Sequence, residues 1–523
     1  MIDVAAMSTL GALARANARR KPDGLATRFE GREATFAEFD AQGDQVARAL
    51  DAEGAKAVAY LGKNSDLAFQ LFLGAARAGV VFGPINWRLA PPEIAQIVAG
   101  FGADMLFVGP EFIAAVESIR AELPPGLRLV TMEGGQPEWP DFPAWRDAQP
   151  AEFPDDRVTP DDVALVLFTS GTTGLPKGVM TTHANLLGQR RQTFGHDLSY
   201  DTWGDDEVSL VAMPFAHIGG IGWWGLGFAN CAPSIIAREF RPDQVLDFIR
   251  DDGVSRMFIV PAALQIVVRD PRAATTDFSR LRHVSYGAAP MPLPLLQEAM
   301  EVLGCEFAQC YGMTETTGTI CLLPPSDHPR EGSPRMRSAG RAMPGSELRV
   351  IDPEGNTLPV GEIGEVAVRG GNVTPGYWKN PEATAKTMLP DGWLRSGDAG
   401  YMDADGYLYI HDRIKDMIVS GGENVYPAEV ESALYAHPDV GEAAVIGVPD
   451  PKWGEAVKAI VTAKAGRKVD PVEVEAWIRT RIAAFKCPKS VDVIDEMPRN
   501  ASGKLLKRDL RAPYWEGRDR QVN

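Results

Sequence analysis

The chain has 523 residues, more than one hydrophobic core usually organises, so we expect about two to four domains. Apolar residues make up 45% of the chain and charged residues 24%, which is typical of a globular protein. The net charge of −17 argues against general nucleic-acid binding, because phosphate backbones attract a positive surface. A small polyanionic ligand held by a few local cations stays compatible with this charge.

The cysteine pattern and the N-terminal sequence indicate the cellular compartment of the protein. The five cysteines are scattered, odd in number and without a CxxC pair, and the seven histidines are dispersed, so neither a disulfide framework nor a structural zinc site is predicted. Arg15, Arg19 and Arg20 interrupt the apolar residues near the N-terminus, which is not the pattern of a secretory signal. We predict a reduced, cytoplasmic protein.

Helical and strand patterns alternate in the first half. Thr35–Leu50 has apolar residues at helical spacing, and Ala57–Leu61 is a short apolar strand. Asn64 or Ser65 is placed to cap a buried helix after that strand. Such alternation predicts α/β layers around largely parallel sheet.

The stretch "LFTSGTTGLPKGVMTTH" (Leu167–His183) follows an apolar run and precedes a segment with helical character. Its hydroxyls can donate to phosphate oxygens, its glycines let backbone N–H groups face an anion, and its lysine supplies a positive charge. The alternative is an exposed polar turn. The candidate phosphate-binding residues are Thr169, Ser170, Gly171, Thr172, Thr173, Gly174 and Lys177.

Two familiar nucleotide patterns fail here. Gly171 is followed five places later by Pro176, so the stretch is not an ordinary P-loop. "GIGWWG" (Gly220–Gly225) matches GxGxxG, but two tryptophans occupy positions where backbone should approach pyrophosphate. We interpret that match as chance.

The segment Val208–Ala237 contains no Asp, Glu, Lys or Arg and is long enough to span a bilayer. Glycines, prolines, Asn230 and His217 break its hydrophobicity into pieces. We predict a buried strand, a turn and a buried helix, without stable membrane insertion.

The second half changes character. Glu347–Tyr409 has short strand-like runs between turn residues, which predicts antiparallel sheet. A smaller unit of helices and strands follows, from a helix starting near Pro427 to a lysine-bearing turn in "PRNASGKLLKRDLR". We therefore predict an α/β fold with a large N-terminal domain of layered α/β subdomains plus a β-rich part (residues 1–411), and a small α+β C-terminal domain (residues 412–523).

The glycine-rich stretch closely resembles the AMP-binding signature of the acyl-adenylate-forming superfamily, which includes acyl-CoA synthetases, peptide-synthetase adenylation domains and firefly luciferase. Three further motifs resemble that family in the same order: "YGMTE" (Tyr311–Glu315), the segment Gly392–Glu431, and "PRNASGKLLKRDL" (Pro498–Leu510). The resemblance covers nearly the whole chain. It implies a two-step reaction: a carboxylate attacks the α-phosphate of ATP to give acyl-AMP and pyrophosphate, and a thiol, usually that of coenzyme A, then takes the acyl group.

The resemblance also assigns roles. It implies that the Thr169–Lys177 loop closes over the β- and γ-phosphates, that Thr314 donates to the α-phosphate, and that Glu315 holds Mg²⁺. Lys504 would neutralise charge between the carboxylate and the α-phosphate. Asp398 and Arg413 would bind the ribose. The adenine would lie against Tyr311 and the loop that contains Gly287, Ala288, Ala289 and Pro290.

Taken singly, these residues have simpler interpretations. Asp398 fits a turn, Glu315 a helix N-terminus, and Lys504 an exposed basic cluster. Their order along the chain favours the functional interpretation.

The segment "MPFAHIGGIGWWGLGF" corresponds to the family's acyl-pocket region. Adenylation domains for α-amino acids have an aspartate after the phenylalanine, whereas Ala216 follows Phe215 here. A buried ammonium without a partner is costly, so a fatty, aryl or sterol-derived acid is predicted instead. His217 resembles the pocket histidine of acyl- and aryl-CoA synthetases, with a satisfied core histidine as the alternative. Trp223 and Trp224 either wall the pocket or fill core.

By the same resemblance, the C-terminal domain turns about a hinge at Lys415 after pyrophosphate leaves. Gly421 and Gly422 then line the path of the pantetheine thiol. The expected ligands are ATP, Mg²⁺, coenzyme A and a carboxylic acid. Transfer to a separate carrier protein, an inactive nucleotide-binding relative and a homodimer all stay open.

Overall fold

The computed structural model describes most of the chain, and every structural statement below refers to that part. The described ranges are 7–134, 136–154, 157–169, 176–193, 203–289, 291–413, 416–420, 423–499 and 505–516, together with the single residues 196, 198 and 201.

The first sheet has six strands. They are β3 (Ala57–Leu61), β4 (Val81–Ile85), β5 (Met105–Val108), β6 (Arg128–Thr131), β7 (Val163–Thr169) and β8 (Lys177–Thr182). Their order across the sheet is β6-β5-β3-β4-β7-β8. All neighbours are parallel except β7 and β8, which form an antiparallel hairpin with Thr169 opposite Lys177.

The second sheet has nine strands. They are β1 (Leu25–Phe29), β2 (Arg32–Thr35), β9 (Ser209–Val211), β10 (Ser234–Ile236), β11 (Arg256–Ile259), β12 (His283–Gly287), β13 (Glu306–Met313), β14 (Gly318–Leu323) and β15 (Arg341–Ala342). Their order is β15-β14-β13-β12-β11-β9-β10-β1-β2, and the run from β13 to β1 is parallel. This confirms the predicted α/β layers.

The helices are α1 (Leu10–Arg20), α2 (Phe36–Ala52), α3 (Asp66–Ala78), α4 (Pro91–Phe101), α5 (Ile113–Ser118), α6 (Phe142–Asp147), α7 (His183–Thr193), α8 (Ile218–Ala229), α9 (Pro242–Asp251), α10 (Pro261–Arg269), α11 (Leu293–Leu303), α12 (Pro381–Thr387), α13 (Pro427–Tyr435), α14 (Pro471–Arg479) and α15 (Lys507–Trp515). One hydrophobic cluster joins residues of both sheets to α1, α2, α3 and α8. Helix α3 is buried from Asp66 to Arg77, as expected of a helix packed on all sides.

The early helices begin and end at residues typical of helix caps. Thr35 and Glu38 form a capping box at the start of α2. Ser65, rather than Asn64, caps α3. Gly79 follows α3 with φ 70°, a left-handed conformation that favours glycine.

The second half contains two further sheets. The antiparallel four-stranded sheet consists of β16 (Ser346–Ile351), β17 (Gly364–Gly370), β18 (Leu394–Met402) and β19 (Leu408–Arg413). The five-stranded sheet consists of β20 (Ile418–Ser420), β21 (Glu423–Val425), β22 (Val440–Asp450), β23 (Gly454–Ala463) and β24 (Ser490–Val493), with only β23 and β24 paired in parallel. The predicted change to antiparallel sheet is confirmed.

The stretch Leu167–His183 contains β8, which returns antiparallel to β7, and the helix α7 follows it as predicted. Two other local predictions missed an element. Val208–Ala237 contains a second strand, β10, after α8. The C-terminal motif continues into α15, where Leu510 and Tyr514 pack against a hydrophobic cluster of β22 and β23. No helix in the described ranges is both long and apolar enough to cross a bilayer.

All five cysteines are free, and burial raises the pKa of each thiol. Cys310, on β13, reaches a pKa of about 11.

Candidate active site

The predicted ligand residues of the nine-stranded sheet lie at one edge. β12 and β13 are parallel neighbours, with Gly287 opposite Cys310, so the segments that follow them leave the sheet side by side. His217 follows β9, which ends at the same edge. Ligands of open parallel sheets bind outside the carboxyl ends of the strands, so this edge is the candidate site.

Two glycines allow backbones to meet closely there. A Cβ on Gly287 would lie 2.2 Å from the Cys310 carbonyl oxygen. A Cβ on Gly312 would lie 1.8 Å from the Gly318 carbonyl oxygen. Any larger residue would displace the adjoining turn, so both motifs need glycine at these positions. Ala288, next to Gly287, is exposed and has φ 65°, and Ala289 is half-buried.

A short 3-10 turn, Thr314–Thr316, carries two predicted ligands at the end of β13. The buried Thr316 hydroxyl accepts a bond from the Met313 N–H and donates to the Gly318 carbonyl. This bonding fixes the turn while leaving Thr314 and Glu315 half-buried. The Thr317 hydroxyl is buried without a partner among the described residues.

Lys177 and the turn that carries Glu315 come from different sheets, and both residues contact one tyrosine. The Tyr377 hydroxyl donates to Glu315 Oε1 at 2.9 Å, and Lys177 Nζ lies 5.0 Å from the centre of the Tyr377 ring. Thr169 donates weakly to the Lys177 carbonyl at 3.4 Å. Sequence reasoning missed Tyr377, which is far from either partner in sequence and belongs to none of the quoted motifs.

Tyr311 and Asp398 also join two sheets. The Tyr311 hydroxyl donates to Asp398 Oδ2 at 2.7 Å. Asp398 is 5% exposed on β18 and lies opposite Arg413 on β19. The structure thus brings together the residues predicted for adenine and ribose.

His217 directly precedes α8. Its Nε2 is buried without a hydrogen-bond partner among the described residues, and burial, with a smaller effect of Arg88, lowers the pKa of His217 to about 4. The imidazole is therefore neutral at pH 7. Gly220 allows the chain to turn there, because a Cβ would lie 2.2 Å from the Pro214 carbonyl oxygen.

The two tryptophans of α8 have different surroundings. Trp224 is 1% exposed and stacks on Phe69 and Phe228, so it fills core. Trp223 packs against Trp203 and Phe258. The indole N–H groups of both tryptophans have no partner among the described residues.

Several predicted site residues lie outside the described ranges: Ser170, Gly171, Thr172, Thr173, Gly174, Pro290, Lys415, Gly421, Gly422 and Lys504. For Arg413 the backbone position on β19 is described, without its side chain.

A cleft of about 900 Å³ opens at the opposite, amino edge of β12 and β13. Two of its arginines are paired: Arg256 Nε donates to Glu207 Oε2 at 2.8 Å, and Arg282 contacts Asp206. The sequence motifs lie at the other edge, so we do not place the site in this cleft.

Metal binding at the carboxyl edge rests on a single carboxylate. The described residues contain no group of three or more His, Cys, Asp or Glu that could hold a metal ion. In that part of the chain Glu315 Oε2 accepts no hydrogen bond. One carboxylate combined with substrate phosphates suits Mg²⁺, which usually keeps few protein ligands.

Comparison with known proteins agrees with this architecture. The AMP-binding enzyme family matches residues 14–378, and its C-terminal domain family matches residues 429–504. The chain is 41% identical to a fatty acid–[acyl-carrier-protein] ligase from Streptomyces coeruleorubidus, over 97% of this chain and 96% of that protein. It is 39% identical to a feruloyl-CoA synthase from an Amycolatopsis species, over 95% and 97%.

A solved structure supports the same relationship. ATP-bound MatB from Rhodopseudomonas palustris superposes with a TM-score of 0.86 and 31% identity, covering 97% of this chain and 99% of that one. The predicted resemblance and fold class are confirmed. The chain belongs to the AMP-binding enzymes, the ATP-dependent, adenylate-forming superfamily of acyl- and aryl-CoA ligases.

Proposed function

We propose that the protein is an acid–CoA ligase for a fatty or aryl acid. In the first step, a carboxylate oxygen attacks the α-phosphorus of ATP and the bond to the β-phosphate breaks, giving acyl-AMP and pyrophosphate. In the second, the sulfur of CoA attacks the acyl carbonyl carbon, loses its proton, and AMP leaves. The observation that carries this proposal is a pair of contacts between sheets: Tyr377 contacts both Lys177 and Glu315, and the Tyr311 hydroxyl donates to Asp398.

The first step brings two anions together, so it depends on cations and oriented donors rather than on a protein nucleophile. Lys177 binds the β- and γ-phosphates, and the Thr314 hydroxyl donates to the α-phosphate. Asp398 accepts from the ribose hydroxyls, with its orientation set by the Tyr311 hydroxyl. Lys504 neutralises charge at the reacting carboxylate.

Mg²⁺ fits at Glu315, whose Oε1 is occupied by Tyr377. When bound, the ion would neutralise phosphate charge as a Lewis acid. The chain's own contribution is to hold the carboxylate in one orientation through the Tyr377 hydroxyl.

The acid lies beside α8. His217 is neutral at pH 7, so it acts as a hydrogen-bond partner and not as a counter-charge for the carboxylate. The segment beside it offers no carboxylate to pair with an ammonium, because Ala216 follows the buried Phe215. These features favour an apolar acid over an α-amino acid.

Two relatives differ in the acceptor: one is named an acyl-carrier-protein ligase, the other a CoA synthase. A surface on the five-stranded sheet favours CoA. Trp453 is 40% exposed, with Lys452 Nζ 4.5 Å and Lys489 Nζ 6.0 Å from the centre of its ring. An aromatic face between cations suits an adenine nucleotide that carries phosphates.

The C-terminal domain, with its boundary near Asp412, serves both steps in this proposal. Lys504 acts in the first step, and rotation at Lys415 then brings Gly421 and Gly422 to the thiol path. Lys415→Pro restricts the hinge φ and should spare acyl-AMP formation while blocking thioester formation.

The test is pyrophosphate release across fatty, aryl and hydroxycinnamic acids, followed by mass spectrometry of products with CoA as sole acceptor. We expect acyl-CoA without any carrier protein, and Trp453→Ala should raise the KM for CoA without slowing acyl-AMP formation. If the thioester forms exclusively on a carrier protein, then the carrier protein is the acceptor and CoA is not. No pyrophosphate release with any acid would contradict the proposed ligase activity.

A further inference from the structure

One segment ties the phosphate-binding hairpin to the Thr314–Thr316 turn. Residues 371–378, here called the crossing segment, run between the first two sheets. The Thr374 N–H donates to the Glu315 carbonyl at 2.8 Å, and Asn372 Nδ2 donates to the Thr316 carbonyl at 2.8 Å. At its other end, the Trp378 N–H donates to the Gly178 carbonyl at 2.7 Å. The segment therefore fixes the distance between β8 and the turn after β13.

Tyr377 is the side chain of this segment that lies between the two charged groups. It is 7% exposed, and its backbone N–H donates to Thr384 Oγ1 at 2.9 Å, which anchors it from behind. Its ring face meets the Lys177 ammonium and its hydroxyl meets the Glu315 carboxylate.

A phenol suits both neighbours at once. The ring face attracts a cation through its quadrupole, and the hydroxyl donates to a carboxylate oxygen. The lysine and the glutamate that contact this ring form no ion pair with each other among the described residues, and a side chain without the ring and hydroxyl would leave both charges without this partner. An ion pair between them would satisfy each group with the other and remove both from a phosphate ligand and its metal ion.

We propose that Tyr377 is a positioning residue that keeps Lys177 and Glu315 apart, so that the ammonium stays available to the phosphates of ATP and the carboxylate to Mg²⁺. This inference rests on the proposed function for those two partners. Tyr377 itself touches neither reacting atom.

The first experiment measures binding without turnover. Calorimetry gives the Kd of Mg²⁺-free ATP for the wild type, Tyr377→Leu, and Tyr377→Leu combined with Glu315→Gln. Tyr377→Leu lets Glu315 capture Lys177, so the Kd should rise roughly tenfold, the usual worth of one contact to a charged group. Adding Glu315→Gln should restore the Kd to about the wild-type value, because the amide no longer attracts the ammonium.

The second measures the metal. Tyr377→Phe keeps the ring but loses the hydroxyl, so Mg²⁺-free ATP should bind as in the wild type. The Kd of Mn²⁺ in the presence of ATP, measured by electron paramagnetic resonance, should rise roughly tenfold. Trp378→Phe is the matched control, because its indole N–H donates to the Phe101 carbonyl, away from Glu315. It should change neither Kd.

The outcomes separate the two proposals. If the wild type binds no ATP, the proposed function fails. If the wild type binds ATP but Glu315→Gln does not restore binding to the Tyr377→Leu protein, the separating role of Tyr377 is wrong. An unchanged Mn²⁺ affinity in Tyr377→Phe would likewise overturn the role of its hydroxyl, even if Tyr377→Leu does not fold.

Discussion

Polar side chains at the two ends of strands β12 and β13 differ in their hydrogen bonding. At the amino end, the cleft of about 900 Å³ is lined by side chains that satisfy each other, such as Arg256 with Glu207. At the carboxyl end, buried polar atoms such as His217 Nε2 and Thr317 Oγ1 lack partners among the described residues. The hydroxyls of Ser209 and Ser234, at the amino ends of β9 and β10, are also buried without partners among the described residues. Unmet hydrogen bonds therefore support a ligand site where sequence motifs coincide with them, as they do at the carboxyl end.

The largest expected difference compares two glutamates at the two ends of β13. Glu306 is the first residue of the strand, and Glu315 lies two residues beyond its last residue, Met313. Glu315→Gln should lower kcat/KM for acyl-AMP formation roughly a hundred- to a thousandfold, because a charge that stabilises the transition state is lost. Glu306→Gln should change it less than about twofold. Pyrophosphate release measures both, and equal losses would show that the two ends are not functionally distinct.

The next comparison uses two histidines with a pKa near 4. His328, at the amino end, is satisfied by the Pro324 carbonyl and the Tyr286 hydroxyl, whereas His217 Nε2 has no partner within the ranges that the structure describes. His328→Ala should cost about 2 kcal/mol of unfolding free energy with little change in the KM for the acid. His217→Ala should lower kcat/KM for the acid on the order of tenfold with a smaller stability cost. Denaturant titrations measure the stability cost, and steady-state kinetics measure the loss of activity. A larger kinetic loss in His328→Ala than in His217→Ala would contradict the prediction.

Acid should lower the free energy of unfolding through histidines in several parts of the fold. Burial lowers the pKa of His183, His217 and His328 to about 4, below the usual value near 6.5 in an unfolded chain. The unfolded state therefore binds more protons between these values, so their contribution to stability is complete above pH 6.5 and is lost as the pH falls toward 4. We expect a loss on the order of 1–2 kcal/mol per histidine by pH 5. Urea unfolding at several pH values measures this, and His183→Asn should give a shallower dependence; an unchanged slope would contradict the assignment.

The smallest effect is expected at Gly304, just before β13. Its φ is 63°, and a Cβ there would meet no described atom within 4 Å. Gly304→Ala should therefore cost only about 1 kcal/mol of left-handed strain and leave the KM for ATP unchanged. A raised KM would mean that the amino end takes part in nucleotide binding.

Local signals predicted much of this molecule. The cap of α3 at Ser65 and the antiparallel second half follow from residue types a few positions apart. The order of four motifs predicted the family, and the structure then joined Tyr311 to Asp398 as two candidates for the same nucleotide.

Contacts between sheets were beyond such reasoning. Tyr377 is 62 residues from Glu315 and belongs to no pattern that carries charge. Trp223 and Trp224 are adjacent and equally apolar, yet only Trp224 lies within the stacked aromatic core. Both facts depend on which elements pack together, which periodicity does not encode.

The buried thiols have a chemical consequence. An acyl-adenylate is an electrophile that any nearby thiolate would attack, so a ligase that accumulates one risks acylating itself. Cys310 lies next to Tyr311 on β13, and its pKa of about 11 leaves almost none of it as thiolate at pH 7. The pKa of the other four thiols is raised as well, so we expect the protein's own thiols to compete little with the incoming acceptor for the activated acyl group.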